Sequence, residues 1–450
     1  MKAKRMRYIR KKIFVFLFLF LFLLGLGVGY ALVYTDLEIL GIAGIKAARW
    51  DVHLDNYNLE TGSVIPESNP TVTDTSVSFA AKLTSPGDYY EFTIDVENEG
   101  TIPAVLNSLT VTPDFSSINY IESTITYDDG TAIQSGDVLL VGATRTIKVK
   151  LNYKDGLNDT LYPSTDQSYN VTIALGYQQF AGDVPDFEHD SWASLIEAYN
   201  DGDPSGALKL AMKQGTTREV LLDLDNNPET DPVTAHVRIA NLSKLPVCET
   251  QGFSQTACGF VIEFVESITT RRMNPEHNWT NGTGSFGGWE YSDMRAYLNS
   301  GVYTKENIDY TSTGLFNALP SDLKAEGIIK DTVVVSGYGK NDENTGNYIT
   351  TDKIYLLDVK EILGPTFTYV YNRARDAERQ LDYYELKGVT ENNISWANKK
   401  YLNNTASSYW TRTAYSNVYN YYFGINYGDR WGSRMAQDTI GVSPAFRIAY

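Results

Sequence analysis

The segment YEFTIDV, residues 90–96, decides the fold of the first half of the chain because its apolar residues recur at every second position. Tyr90, Phe92, Ile94 and Val96 fall on one face of an extended strand, and charged or hydroxyl side chains fall on the other. The same alternation recurs in SVSFAAKL (76–83), TIKVKLNY (146–153) and SYNVTIALGY (168–177). Strands of this length, separated by turns such as SPGD and ENEG, predict an antiparallel, Ig-like β-sandwich over residues 36–180.

The N-terminus carries a basic segment followed by an apolar one. MKAKRMRYIRKK contains seven Lys or Arg in twelve residues, and no charge then appears until Asp36. This order is typical of an export signal, and it places the rest of the chain outside the cytoplasm. The apolar run is long enough to span a bilayer, but its densest part ends at Leu24 and small residues follow. Residues 1–34 are therefore predicted to be either a cleaved signal peptide or a transmembrane anchor, in a protein that is secreted or held at the membrane.

Beyond the sandwich, the pattern changes to a mixture of helical and extended segments. AGDVPDFEHD is acidic and broken by Gly and Pro, so residues 181–189 are predicted to be a linker. In DSWASLIEAYNDG the apolar residues have helical spacing, with Asp190 or Ser191 as N-cap, and Ser292 caps a second short helix. Helices and strands without regular alternation predict an α+β domain over residues 190–450, and hence a multidomain protein.

Charge and cysteine content narrow the possible functions. The formal net charge is -17, and such an acidic body repels phosphate backbones, so nucleic acid is not an expected partner. Cys248 and Cys258 are the chain's two cysteines, and outside the cytoplasm a close pair predicts a disulfide. Two buried free thiols are the alternative.

The N-terminal half resembles a known family. The apolar signal ending in GYA, the segment DLEILGIAGIKAARWDVHLDN and PGDYYEFTIDVENEGTIPAVL are similar to the secreted β-sandwich proteins of Gram-positive bacteria of the biofilm-matrix and camelysin type. Members of that family polymerise into surface fibres, so the resemblance implies self-assembly as a possible role. Residues 36–50 have only a weak alternation, and a strand of this kind can pair with its own sheet or, as a hypothesis, with a neighbouring sandwich. An ordinary first strand is the alternative.

The second half resembles an uncharacterised domain family found in surface proteins of Gram-positive bacteria. The resemblance rests on SWASLIEAY, GGWEYSDMRAYLN, DKIYLLDVKEI, YWTRT and VSPAFRI, across residues 188–450. The ending is also remotely similar to C-type lectins and to formylglycine-generating enzymes. The first likeness implies glycan binding, and the second implies an enzyme that relies on cysteine chemistry.

The stretch YWTRTAYSNVYNYYFGINYGDRWGSR, residues 409–434, is the candidate binding site because aromatic residues fall on both faces of a predicted strand. If one face is core, the other presents Tyr and Trp beside Arg and Asn, a combination that suits sugar rings. The predicted ligand-binding residues are Trp289, Arg412, Tyr415, Tyr422, Trp431 and Arg434. An aromatic-rich core with Trp410 buried is the alternative.

No sequence motif indicates catalysis or a metal. His-Glu-x-x-His, Gly-x-Ser-x-Gly and a phosphate-binding glycine loop are missing from the sequence, and the acidic segment DLDNNPETD departs from the calcium-loop template. We therefore expect no cofactor, no metal and no enzymatic activity. The sequence predicts an exported cell-surface protein with a stalk and a recognition domain for a glycan or other surface ligand. The alternatives are a fibre subunit and, remotely, an enzyme of the formylglycine-generating type.

Overall fold

A computed structural model gives the fold of most of the chain. It describes residues 48–450 with these exceptions: 61, 65, 67, 68, 166, 168, 228, 275–287, 302–309, 338–346, 365, 368–377, 394–395, 416–419 and 428–430. The predicted signal peptide or anchor at 1–34, and nearly all of the segment 36–50, lie outside the described residues. Within the part that is described, no helix has the length and apolar character needed to cross a membrane. The chain divides into Met1–Arg49 and Trp50–Tyr450.

Between residues 48 and 179, the described residues form strands and single helical turns. The strands are β1 (Val52–Leu59), β2 (Thr71–Val72), β3 (Ser76–Ala80), β4 (Tyr89–Asn98), β5 (Ala104–Thr112), β6 (Ile121–Tyr127), β7 (Val138–Leu139), β8 (Thr144–Tyr153) and β9 (Asn170–Gln179). One antiparallel sheet has the order β1-β4-β8-β6, and the other has the order β2-β3-β9-β5-β7. The predicted strands around residues 76, 90, 146 and 170 are confirmed as β3, β4, β8 and β9.

The two sheets share one hydrophobic core. Along β4 every second side chain is buried, including Tyr90, Phe92 and Ile94, and these pack with Val149 of β8 and Ile173 of β9 in a single cluster. Because side chains alternate between the faces of a strand, the remaining residues of β4 face away from this core. A face-to-face pair of sheets with one core is the sandwich that the period-two pattern predicts.

The remainder of the chain is mostly β-sheet with a few short helices. The helices are α1 (Trp192–Asn200), α2 (Ala207–Gln214), α3 (Asp293–Leu298), α4 (Leu315–Ala318), α5 (Ser321–Lys324), α6 (Val359–Leu363) and α7 (Asp382–Leu386). The strands are β10 (Thr217–Leu222), β11 (Val233–Asn241), β12 (Phe260–Phe264), β13 (Thr269–Arg271), β14 (Thr332–Ser336), β15 (Tyr348–Asp352), β16 (Ile354–Leu356), β17 (Lys400–Leu402), β18 (Thr405–Ser407), β19 (Tyr409–Ala414), β20 (Tyr421–Ile425), β21 (Trp431–Met435), β22 (Ile440–Val442) and β23 (Pro444–Ala449).

These strands form two larger sheets and two hairpins. The sheets have the orders β10-β11-β12-β23-β16 and β13-β22-β19-β20-β21, and the hairpins are β14-β15 and β17-β18. One large hydrophobic core unites the sheets and the helices, and it is separate from the core of the sandwich. Phe187, which the sequence places in the linker, packs against Trp192 within this second core. The exact boundaries at 181 and 190 stay a prediction.

Local signals in the sequence account for several of these elements. Ser191 caps α1, because its hydroxyl accepts a hydrogen bond from the backbone N–H of Ser194. Ser292 caps α3 in the same way, through the N–H of Arg295. Both predicted caps are confirmed, and DLDNNPETD is the turn of the antiparallel hairpin β10-β11. Cys248 and Cys258 form the predicted disulfide.

Candidate functional site

The residues predicted to bind a ligand do not form one exposed surface. Trp289, Arg412, Tyr415 and Tyr422 are all buried, and Trp431 and Arg434 are half-buried. The expectation that Tyr415 and Tyr422 belong to an exposed aromatic face is therefore wrong, and Trp289 and Arg412, expected as nearby support, are buried as well. Buried side chains cannot contact a ligand in solution without a rearrangement of the core.

Sheet position explains this burial. β19 is the middle strand of β13-β22-β19-β20-β21, and all six of its residues are buried. The sequence analysis expects one solvent-exposed face on this strand, but the protein interior surrounds both faces of β19. The alternative interpretation of this stretch places Trp410 in the core. It is 1% exposed, and its Nε1 donates to the carbonyl oxygen of Arg271. Tyr415 stacks on Phe423 with ring centroids 4.2 Å apart.

Arg412 is held by carboxylates. Its two terminal nitrogens donate to both oxygens of Glu361, at 2.7 and 2.8 Å, and it also lies 3.3 Å from Glu378. A fork-to-fork pair of this kind is the strongest geometry that arginine offers to a carboxylate. Thr256 donates to the same Glu361 carboxylate. The side chain of Arg412 is therefore committed to contacts inside the core.

Trp289 and Tyr422 have similar internal partners. Trp289 donates from Nε1 to Asp352 at 2.9 Å, and Tyr422 donates to the carbonyl oxygen of Gly288 at 3.0 Å. Burial in an apolar environment raises the pKa of Tyr422. Each polar atom is satisfied within the fold, as buried polar groups require.

Trp431 and Arg434 lie on the edge strand β21 and are the more accessible members of the predicted set. They are three residues apart, so they point to opposite faces of the strand. Trp431 packs against Phe367 and Phe423, while Arg434 donates to Ser408 at 3.1 Å. The structure therefore does not bring these two residues together on one surface.

A different part of the same body forms an open cleft of ≈ 850 Å³. The end of α1, the start of α2, the loop that follows β11, and α7 enclose it, together with Tyr450. Its lining is Tyr199, Asn200, Gly202, Asp203, Gly206, Lys209, Met212, Leu242, Ser243, Lys244, Asp382, Glu385, Leu386 and Tyr450. Segments far apart in sequence meet here, so the cleft is a product of the tertiary fold.

Asp382 holds two walls of the cleft together. One oxygen of its carboxylate accepts hydrogen bonds from the backbone N–H groups of Leu242 and Ser243 and from the Ser243 hydroxyl, at 2.7–3.0 Å. The other oxygen accepts from Arg379 at 2.7 Å. Burial alone raises the pKa of Asp382, but the bonds from Ser243, Leu242 and Arg379 outweigh burial and lower it. The ionised carboxylate thus fixes the β11 loop to α7.

Tyr450 and Lys244 form a second wall. The Lys244 ammonium lies 4.4 Å from the centroid of the Tyr450 ring. The same tyrosine packs against the cluster of Cys248, Phe253 and Cys258. The disulfide-closed loop therefore supports an aromatic residue that lines the cleft.

The third wall carries Tyr199 and Asp203. Tyr199 rests on the buried Phe260, with ring centroids 5.3 Å apart. Asp203 has a φ of 49°, a conformation that asparagine, aspartate and glycine adopt most readily. Its carboxylate accepts from the backbone N–H of Lys209 at 3.1 Å, and burial raises its pKa. This wall adds an amphipathic ring and an acid to the cleft.

The described lining residues are mostly tyrosine, lysine, serine, amide and acidic side chains, with a few apolar residues. They include no histidine and no cysteine, and the Ser243 hydroxyl already donates to a carboxylate that Arg379 holds. A nucleophile needs an adjacent base to accept its proton, and Asp382 is committed to structural bonds. Two tyrosines, two exposed lysines and acidic groups remain available to a polar ligand.

Sequence reasoning did not find this cleft. Tyr199 is one of the apolar residues at helical spacing in DSWASLIEAYNDG, and Lys244, Glu385 and Tyr450 belong to no motif. The C-terminal part of the chain resembles a known family, since the model of a domain of unknown function, DUF6273, matches residues 266–450. That match agrees with the resemblance to an uncharacterised domain family, over a shorter range than 188–450. Neither a curated protein nor a solved structure matches the chain.

Proposed function

We propose that this chain is a non-catalytic, exported cell-surface protein. Its Ig-like sandwich serves as a stalk, and its C-terminal body recognises a glycan of the surface on which it acts. The observation that carries the proposal is the cleft of ≈ 850 Å³ with Tyr199 and Tyr450 in its walls. A volume of this size lies in the range of sites that take small molecules or a few sugar rings.

The chemistry of the cleft favours a sugar over an apolar ligand. Tyrosine rings stack on the apolar faces of sugars, and their hydroxyls and nearby amides exchange hydrogen bonds with sugar hydroxyls. Lys209, Lys244 and Glu385 all line the cleft, so it offers both donors and acceptors. Exposed lysines also permit an acidic sugar, with the positive charges at the rim.

Two features support export. The basic and then apolar order of residues 1–34 is the pattern of a signal or anchor. The disulfide between Cys248 and Cys258 is compatible with an oxidising compartment. The disulfide also supports the non-catalytic assignment, because the sequence has no further cysteine for chemistry of the formylglycine-generating type.

A glycan array probed with the full chain in mild detergent tests the proposal. We expect binding to a limited set of sugars, and we expect Tyr450→Ala and the double change Lys209→Ala, Lys244→Ala to reduce it about tenfold or more. Tyr401→Ala is the matched control, because Tyr401 is an exposed tyrosine outside the cleft. Far-UV circular dichroism and thermal melts check that each variant folds.

Two outcomes contradict the proposal. Binding that Trp431→Ala removes and Tyr450→Ala leaves intact would place the site on β21 instead. No retention of any sugar, by a chain that melts cooperatively, would leave recognition of glycans without support.

A further inference from the structure

A second cluster of functional side chains lies on the sandwich, away from the cleft. On the outward face of β1 and β4, one ligand atom each from His53, Glu97 and Glu99 lies within 4.8 Å of the other two. These are an imidazole and two carboxylates, the donor types that bind divalent transition metals. We propose that His53, Glu97 and Glu99 bind a zinc ion. The sequence motifs predict no metal, because their templates do not cover ligands that strand pairing brings together.

Strand pairing brings the three residues together. His53 of β1 lies directly opposite Glu97 of β4, and the backbone N–H of Glu99 donates to the carbonyl oxygen of Asp51 at 2.9 Å. Side chains two residues apart on a strand share a face, so His53 and Asp51 stand beside Glu97 and Glu99. The backbone ladder, which is rigid, therefore sets the positions of all the ligands.

The separations are wider than those of a bound site and must close on binding. In a tetrahedral zinc site, zinc–ligand distances of about 2.0–2.2 Å place two ligand atoms about 3.3–3.6 Å apart. The three ligand atoms lie within 4.8 Å of one another, so binding draws them together by rotation of the side chains. The ligands are partly or fully exposed, so an ion can reach them from solution.

Asp51 occupies the position of an outer partner for the histidine. Its Oδ1 lies 3.0 Å from His53 Nδ1. A carboxylate on one ring nitrogen commonly fixes the tautomer and orientation of a histidine that binds metal through the other. In this site Nε2 is then the ligating nitrogen. Three protein ligands leave a coordination position for water or for a group from another molecule.

The charge pattern of this face independently favours a cation. Like charges directly opposite one another on paired strands are destabilising. Here His53 faces Glu97, and Asp55 faces Asp95. On the other side of β4, β8 places Thr144 and Thr146 opposite Glu97 and Asp95, and these threonines carry no charge. Asn56 and Thr146 donate to Glu97 and Asp95 without neutralising them.

Isothermal titration of the metal-free full chain with zinc chloride at pH 7.5, in mild detergent, tests the proposal. We expect one zinc site, with affinity reduced about tenfold or more by His53→Ala and by Glu97→Gln. His189→Ala is the matched control, because His189 also pairs with a carboxylate, Asp186, at 2.8 Å.

Three results would overturn the assignment. They are no zinc binding, zinc binding that survives His53→Ala, and binding of calcium in place of zinc. Circular dichroism of each variant separates loss of ligands from loss of fold. An X-ray absorption spectrum of the zinc-loaded chain supplies a readout of its own, since a nitrogen and oxygen shell is expected with no sulfur. Because the sandwich site and the cleft share no residue, either can fail while the other stands.

Discussion

Arg412 and Glu361 form a bidentate ion pair in which both side chains are wholly buried. The pair joins β19 to α6, so it connects the middle of a sheet to a helix that packs on it. Two charges removed from water are costly unless geometry and further hydrogen bonds compensate them. Here carbonyl oxygens and hydroxyls satisfy the remaining donors, including the carbonyl of Leu356 and the hydroxyl of Thr256.

We predict that Arg412→Met destabilises the C-terminal body by roughly 3–5 kcal/mol, because it leaves Glu361 and Glu378 buried without their cation. Urea unfolding followed by fluorescence measures the change. Arg434→Met is the control, since Arg434 is half-buried on an edge strand and should cost far less. Similar losses for both substitutions would contradict a special role for the buried pair.

The buried carboxyl of Glu378 should make the folded protein less stable as the pH rises, which is the opposite of the usual effect of a carboxylate held in an ion pair. Burial raises the pKa of Glu378 well above the ordinary 4.5, and the nearby charge of Asp358 adds to the effect, while Arg412 opposes it. The folded chain thus holds this proton more tightly than the unfolded chain. The contribution to stability is full below about pH 4.5 and is lost as pH rises towards the folded pKa.

The isosteric change Glu378→Gln tests this sign, since glutamine cannot ionise. We expect the melting temperature of the variant to rise relative to the parent between pH 5 and 9, with the smallest difference near pH 4. Glu361→Gln should instead destabilise at neutral pH, because it weakens the pair with Arg412. If the melting temperatures of Glu378→Gln and of the parent differ by the same amount at every pH, then the pKa of Glu378 is not raised on folding.

We predict that a thiol reagent labels Cys248 and Cys258 only after their disulfide is reduced. Unfolded, unreduced chain should react with no thiol reagent, and the same sample after reduction should take up two equivalents. The double change to serine should lower stability by up to about 3 kcal/mol, the chain-entropy figure for a short loop. Because Tyr450 packs on this loop, the variant should also weaken ligand binding in the cleft. Two labelled cysteines before reduction would rule the bond out.

Two tryptophans within residues 409–434 should behave differently when they are truncated. Trp410→Ala empties a core position and should cost about 3–5 kcal/mol, whereas Trp431→Ala, at a half-buried edge position, should cost on the order of 1–2 kcal/mol. Differential scanning calorimetry of both variants makes the comparison. Equal losses would mean that Trp431 is as deeply packed as Trp410.

The sequence by itself determined the local architecture. Period-two segments such as residues 90–96 became strands, because one buried face requires that alternation. Ser191 and Ser292 became helix caps, because a hydroxyl there satisfies a free N–H group. The two cysteines formed the disulfide that their spacing indicated. Each of these outcomes depends on residues close to one another in the chain.

Only the tertiary structure decided which polar and aromatic residues are accessible. Alternation along residues 409–414 cannot reveal that both faces of β19 are covered, because the covering elements come from distant segments. Arg412 meets Thr256 across 156 positions, and the cleft joins Tyr199 to Tyr450. The ligands proposed for zinc likewise depend on the register between β1 and β4. Such contacts arise only when elements distant in sequence pack together. That packing decides which side chains are buried, and burial in turn decides whether a side chain can be charged and whether a ligand can reach it.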